Sequence, residues 1–467
     1  VSHDPHTPRF RVRPPTGWIN DPNGPFRWRG RRHVFYQYNP SAPVHSDINW
    51  GHASSLDLVH WEHHRVALTP TPGGPDEAGC WSGCVVDDAG TPTAVYTGID
   101  RDHAGLGTIC LARAADPDDE RLTEWKPLPT PVLAGPPRGL DVVMFRDPFV
   151  FRCADRRWAL VGAGHADGTP SVLLYDCDDL TDWRFAGVLL DGKDPVAACA
   201  FGARAVGWEC PQLYAAGSGD HVLLLSLWDG DPSSTGYLTG RLEADTRDGL
   251  RFVTRTGGRL DQGRDFYAPA VLQEPDRTLL WGWSWEARPP EEVDQAGWAG
   301  VLTAPRVLDV HPDGSLRVRP APELDLLRAA EPFVTAPGRV PLPLPLPQTY
   351  DLTLTAYHPT TVSLLRNASG RELTVRADPA AGTVILDRSA WPRTGREGSA
   401  PITVQVPKRP QLTLRLLVDG SLLELFVAER TMVTERLYRR PDDIAELVVN
   451  GPDARVTGWA LDPRRRD

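Results

Sequence analysis

The chain has 467 residues, 41% of them hydrophobic, and a formal net charge of −11. That length exceeds one ordinary hydrophobic core, so two or more domains are expected. The acidic excess argues against nucleic acid and anionic membranes as partners, because both call for clustered positive charge, and no run of about 18 apolar residues is present to span a bilayer.

The chain begins at Val1 without a leader-like segment, although a removed leader is compatible with that start. Seven cysteines, an odd number without paired metal-type spacing, leave free thiols and point to a reducing, cytoplasmic setting. Cys80 and Cys84 alone make no metal site, and no metal is expected. The segment with His60, His63 and His64 reads as a surface loop, and Arg464 to Arg466 as a solvated tail. Sixteen tryptophans are more than a core needs, and flat aromatic faces suit sugar rings.

In chain order, the first prominent stretch is Trp18-Ile19-Asn20-Asp21-Pro22-Asn23-Gly24. Its Asp-Pro-Asn-Gly is good turn chemistry, but similar islands recur: Trp81-Ser82-Gly83, Phe145-Arg146-Asp147-Pro148, Trp208-Glu209-Cys210-Pro211 and Asp265-Phe266-Tyr267-Ala268-Pro269. Their spacing is roughly 60 residues, the kind of period that marks an array of repeated units. Between islands lie short strands such as His33–Tyr38, Thr93–Tyr96, Trp158–Val161, His221–Leu225 and Thr278–Trp281, and long amphipathic helices are absent. The units close alike, at Asp57 to Trp61, Leu122 to Trp125 and Asp179 to Trp183, with weaker echoes near Phe252 and Val318.

Five such units predict an all-β fold, a five-bladed β-propeller over residues 1–325. Islands that open each blade then converge on one funnel, bringing Asp21, Asp147 and Glu209 together. A repeated packing signature would keep the same residue at each equivalent position, whereas the charged member here changes from blade to blade. Residues 326–347 read as a linker, with a short helix over Pro320 to Leu327 before it and proline alternating with apolar residues over Val340 to Pro347. Residues 348–467 read as a β-sandwich, from strands including Tyr350–Tyr357, Gln411–Val418 and Leu422–Val427.

Three carboxylates around an aromatic funnel suggest glycosidic hydrolysis, which generally needs one ionised and one protonated carboxyl across the scissile bond. A Gly-rich phosphate loop, a G-x-S-x-G elbow and a Ser, His and Asp set are all missing. The ordered series Trp18 to Gly24, Gln37 to Pro40, Trp50-Gly51-His52, Trp81 to Gly83, Phe145 to Pro148, Trp208 to Pro211 and Asp265 to Pro269 resembles glycoside hydrolase family 32, the invertases, inulinases, levanases and related fructosyltransferases. The likeness continues through Gly300 to Arg306 and Asp419 to Val427, nearly the whole chain.

The resemblance implies Asp21 as nucleophile, Glu209 as general acid and base, and Asp147 as transition-state stabiliser. It implies a fructose pocket lined by Asn20, Gln37, Trp50, Trp81, Ser82 and Arg146, with Trp285 beside it. It further implies a sugar substrate such as sucrose or a short fructo-oligosaccharide, no cofactor, and a monomer or homodimer. His45 departs from the pattern, since many relatives place a tryptophan there, and this leaves leaving-group preference open. The expected activity is that of a retaining exo-β-fructofuranosidase, and exo-levanase or exo-inulinase action, fructosyl transfer and a non-catalytic sugar-binding propeller are the competing readings.

Overall fold

A computed structural model describes residues 4–464 apart from residues 102–104, 154, 203–204, 218, 245–248, 338–339 and 397. The rest of the basic tail beyond Arg464 lies outside the described residues. Strands dominate, and among the described residues only Pro195–Phe201 and Pro290–Ala296 are α-helical.

Up to Pro320 the strands form five consecutive antiparallel sheets, which begin at Gly17–Trp28, Gly79–Asp88, Val142–Cys153, Gly207–Ala215 and Tyr267–Gln273. These five opening strands touch one another in cyclic order, the fifth returning to the first. Trp298–Ala299 strengthens the closure by pairing parallel to Gly17 and Trp18, so a late segment completes the first sheet.

Period-two side-chain alternation explains why the sheets stack in a ring. In His221–Trp228, Val222 and Leu224 enter the core shared with the fifth sheet, while Leu223 and Leu225 enter the core shared with the third. Phe35, Trp50 and Tyr96 join the first and second sheets, Val95 and Val161 the second and third, and Val34 and Trp281 the first and fifth. The middle strands are thus buried on both faces, which is why they read as continuous apolar runs. Each fully buried Leu or Val stabilises the ring by about 1.5–3 kcal/mol relative to exposure.

From Val334 to Ala460 the strands form two six-stranded sheets that share one core, with Leu352, Leu414 and Leu416 from one and Val362, Val375 and Val384 from the other. Val334–Pro337 and Val340–Pro345, inside the stretch read as linker, are strands that pair with Arg455–Ala460 and Ile444–Asn450. Proline at 341, 343 and 345 removes the backbone donors along one side, which suits the edge position this strand occupies. Pro322–Leu327 is a 3₁₀ turn. Leu417, Phe426 and Met432 complete the core beneath the fifth sheet, so the two parts are packed together.

The first sheet buries a pair of histidines. His33 Nδ1 lies 3.0 Å from His52 Nε2, and both rings are essentially inaccessible. His64 packs tilted against His52 at 4.6 Å and reaches Ser54 Oγ at 2.7 Å, so it supports this cluster rather than standing in a free loop. Burial, then the neighbouring His64 and Arg31, brings His33 down to about 3, and His52 is held well below its ordinary range by burial and His33. An unfolded chain takes up protons here below about pH 6.5 while the folded chain does not, so stability falls with pH from there towards about 3, by at most about 1.4 kcal/mol per pH unit per histidine. The double variant His33→Gln, His52→Gln is expected to flatten the wild-type loss of urea midpoint between about pH 6 and 4. Equal slopes would show that these histidines do not set the acid limit.

Candidate active site

Each opening strand breaks register at its motif: between Ile19 and Pro22, Trp81 and Gly83, Arg146 and Phe149, Glu209 and Gln212, and Tyr267 and Ala270. In four of them the residue before a proline is left-handed, with φ of 45° at Gly24, 64° at Asp147, 48° at Cys210 and 47° at Ala268. Proline disfavours the right-handed helical region in the residue before it, and the left-handed alternative costs about 1–2 kcal/mol for a non-glycine. Such bulges re-aim side chains that regular alternation would direct elsewhere. Cys80 and Cys84 show the effect: four residues apart, they would share a face of a regular strand, yet they enter different cores.

The bulges bring the three carboxylates together. Asp21 Oδ2 accepts from Ser82 Oγ at 2.6 Å and Gln37 Nε2 at 3.2 Å, and Asp21 Oδ1 accepts from Asn20 Nδ2 at 3.2 Å. Trp18 Nε1 holds Asn20 through its amide oxygen at 2.9 Å. Asp147 Oδ2 accepts the Cys210 N–H at 3.0 Å, and the Cys210 thiol lies 3.5 Å from both Asp147 Oδ2 and Asp21 Oδ2. Glu209 Oε1 receives Arg146 from Nε at 2.8 Å and Nη2 at 2.7 Å, and Oε2 receives the Tyr267 hydroxyl at 2.6 Å.

The electrostatics follow from crowding three acids out of water around one guanidinium. Burial and the charge of Glu209 raise Asp21 to about 6 despite the donors Ser82 and Asn20. Burial, Glu209 and Asp21 raise Asp147 to about 7 against the pull of Arg146. The cluster therefore retains a proton close to neutrality, and that titration belongs to the group rather than to one member. Burial and the three carboxylates push the Cys210 thiol far up, so it stays a donor.

Of the expected site residues, Asn20, Asp21, Gln37, Ser82 and Asp147 form one hydrogen-bonded group, completed by Cys210, and Arg146 and Glu209 form a second beside it with Tyr267. Trp81 stands beside it, with the Arg146 guanidinium 5.7 Å from its ring and His45 edge-on at 5.6 Å. Exposed His45 also meets Trp18 at 6.1 Å, so the residue that replaces tryptophan lies on the rim. Trp50 is not in the lining: it is 0% exposed and its Nε1 donates to the Trp81 carbonyl at 2.9 Å, which supports the Trp81 backbone from behind. Trp285 is buried, donates to Asp265 Oδ1 at 2.7 Å, and carries the Arg396 guanidinium 4.1 Å over its ring, a contact supplied by the C-terminal part of the chain.

Tyr267, Cys210 and Thr97 escape a sequence reading that looks for charge. Thr97 Oγ1 accepts the Asp147 N–H at 2.8 Å and donates to the Ser82 carbonyl at 3.0 Å, which ties the second opening strand to the third. Tyr267 and Cys210 lie inside quoted motifs, so the signal was position within a motif rather than residue type. Among the described residues no group of three His, Cys, Asp or Glu side chains could hold a metal ion, and no helix is long and apolar enough to cross a membrane.

Clustered carboxylates on a guanidinium, walled by indoles in a β-rich chain, define a glycoside hydrolase site. Residues 11–320 match Glycosyl hydrolases family 32 N-terminal domain and residues 348–460 match Glycosyl hydrolases family 32 C terminal. The chain belongs to glycoside hydrolase family 32. It is 33% identical to a sucrose-6-phosphate hydrolase of Zymomonas mobilis over 92% of this chain and 85% of that one. It is also 33% identical to a raffinose invertase of Escherichia coli, over 93% and 90%. A solved β-fructofuranosidase of Bombyx mori superposes with a TM-score of 0.79 at 27% identity, covering 98% of this chain and 95% of that one.

Proposed function

We propose that the protein is a retaining exo-β-fructofuranosidase that releases terminal β-D-fructofuranosyl groups from sucrose and short fructo-oligosaccharides. The observation that carries this reading is the convergence of three carboxylates, Asp21 and Asp147 bridged by the Cys210 thiol and Glu209 held by Arg146 near enough for its charge to act on both. The relatives named for hydrolysis of sucrose 6-phosphate and as raffinose invertase support the substrate class.

Asp21 is the nucleophile, and the bond it forms to the anomeric carbon splits one difficult displacement into two. Its Oδ2 is occupied by Ser82, Gln37 and the Cys210 thiol, whereas Oδ1 has only Asn20. Oδ1 is therefore the attacking oxygen. Glu209 protonates the departing oxygen and then takes a proton from water, and to do so it exchanges one contact with Arg146 or Tyr267 for the substrate. Asp147 holds the sugar hydroxyls while positive charge develops on the ring. Removing the acid while keeping the nucleophile separates these roles: Glu209→Ala is expected to lose about 10²–10⁴-fold on sucrose and far less on an aryl fructoside whose leaving group needs no proton. Equal losses on both would remove Glu209 from the acid role.

The ring of five sheets is read as a five-bladed propeller over residues 1–325, and the two later sheets, with the strands inside 326–347 added to 348–467, as a β-sandwich, in a monomer or homodimer. Support comes from the cyclic contact of the five opening strands and the single core of the two later sheets. All seven cysteines are free thiols, in keeping with a cytoplasmic enzyme. Product analysis from sucrose tests the activity. Equal glucose and fructose supports hydrolysis, glucose excess with new trisaccharides would mean transfer, and no product would overturn the reading.

A further inference from the structure

A cleft of about 1110 Å³ lies between the outer strands of the fifth sheet and the C-terminal sheet that carries Thr353, Thr413 and Phe426. None of the catalytic cluster lines it. Five arginines do: Arg277, Arg317, Arg319, Arg409 and Arg415. Three are neutralised locally, Arg277 by Glu274 at 2.9 Å and Glu323 at 2.7 Å, Arg317 by Glu429 at 2.8 Å, and Arg415 by Asp325 at 2.6 Å and Asp351 at 2.8 Å.

Those pairs consume Asp325 and Glu429, two of the three carboxylates in the lining, and leave only exposed Asp276. Arg319 and Arg409 have no carboxylate partner among the described residues, and the Arg319 Nε–H is buried without any acceptor. Burying such a donor unpaired costs about 1–3 kcal/mol. On a chain of net charge −11, two uncompensated guanidiniums in one concavity are a local inversion of sign. Planar guanidinium forks match the oxygens of phosphate, and Gln411 and Thr413 in the same lining offer partners for hydroxyl groups.

We propose that this cleft is a second ligand site, for a phosphate-bearing small molecule whose anionic group is held by Arg319 and Arg409. The cleft shares no lining residue with the catalytic cluster. The test is calorimetric titration of the full-length protein with inorganic phosphate and with glucose 6-phosphate, at constant ionic strength and with the catalytic pocket saturated by fructose. Saturable binding is expected, weakened about tenfold or more in Arg319→Gln and in Arg409→Gln, while both variants turn over sucrose like the wild type and so report an intact fold. Absence of binding, unchanged binding in both variants, or loss of binding on adding fructose would each overturn the proposal.

Discussion

Asp21→Asn is expected to lower turnover of sucrose by about ten-thousand-fold or more, as loss of a covalent nucleophile does, and at the same time to make the protein more stable at neutral pH. The two effects share one cause. Burial and Glu209 lift the Asp21 carboxyl from 3.8 to about 6, so between those values the folded chain holds a proton that the unfolded chain has released. Stability therefore declines as pH rises through that window, and above it the ionised carboxylate costs the fold on the order of 1–3 kcal/mol. Asparagine keeps the shape and still accepts from Ser82, but it carries no charge. The gain in urea midpoint should be largest near pH 7 and vanish near about pH 3.5, where Asp21 is itself protonated. In the wild type, kcat/KM should rise with pH through about 6 as the nucleophile ionises. A variant with normal turnover, or one destabilised equally at both pH values, would remove Asp21 from this role.

Much of the candidate site was legible because its residues recur at an even period, and a ring converts an even period into convergence. Asp21, Asp147 and Glu209 needed no knowledge of side-chain direction beyond that. What stayed hidden depends on direction. Trp50 sits in a motif beside pocket residues, yet its side chain turns into the core shared by the first two sheets. Asp265 opens the fifth motif, but it receives Trp285, Arg393 and the Arg436 N–H, whereas Tyr267, two residues on, reaches Glu209. The bulges decide these outcomes, and apart from Gly24 their left-handed residues are Asp147, Cys210 and Ala268 rather than the glycines that normally announce such a conformation. The proline alternation over residues 340–345 misled for another reason: it marks extended chain equally well in a free linker and in an edge strand.

The largest loss of stability is expected at Arg306, in the segment Thr303 to Arg306 that follows the last helix. Its guanidinium is fully buried and reaches Asp261 at 3.0 Å, Glu424 at 2.6 Å and Thr434 Oγ1 at 2.7 Å, with the rings of Phe266 at 4.7 Å and Phe426 at 5.7 Å. Asp261 and Phe266 belong to the five-sheet ring and Glu424, Phe426 and Thr434 to the C-terminal sheets, so one side chain bonds across the joint. Burial alone would raise Glu424, and it is the largest single influence, but Arg11 and Arg306 together hold its carboxyl below the usual range. Arg306→Met keeps the volume and removes the charge, leaving Asp261 without its cation and Glu424 with Arg11 alone. Breaking one partner of a buried ionic group costs about 3–5 kcal/mol, far more than an exposed pair. Because protonation relieves stranded carboxylates, the deficit should be greatest near neutral pH and shrink towards about pH 4. Replacing Glu424 by Gln in the Arg306→Met background should recover part of the loss at neutral pH. Urea unfolding of the two variants at both pH values measures this, and a deficit independent of pH would mean that packing between Phe266 and Phe426, rather than charge, is what Arg306 supplies to the joint.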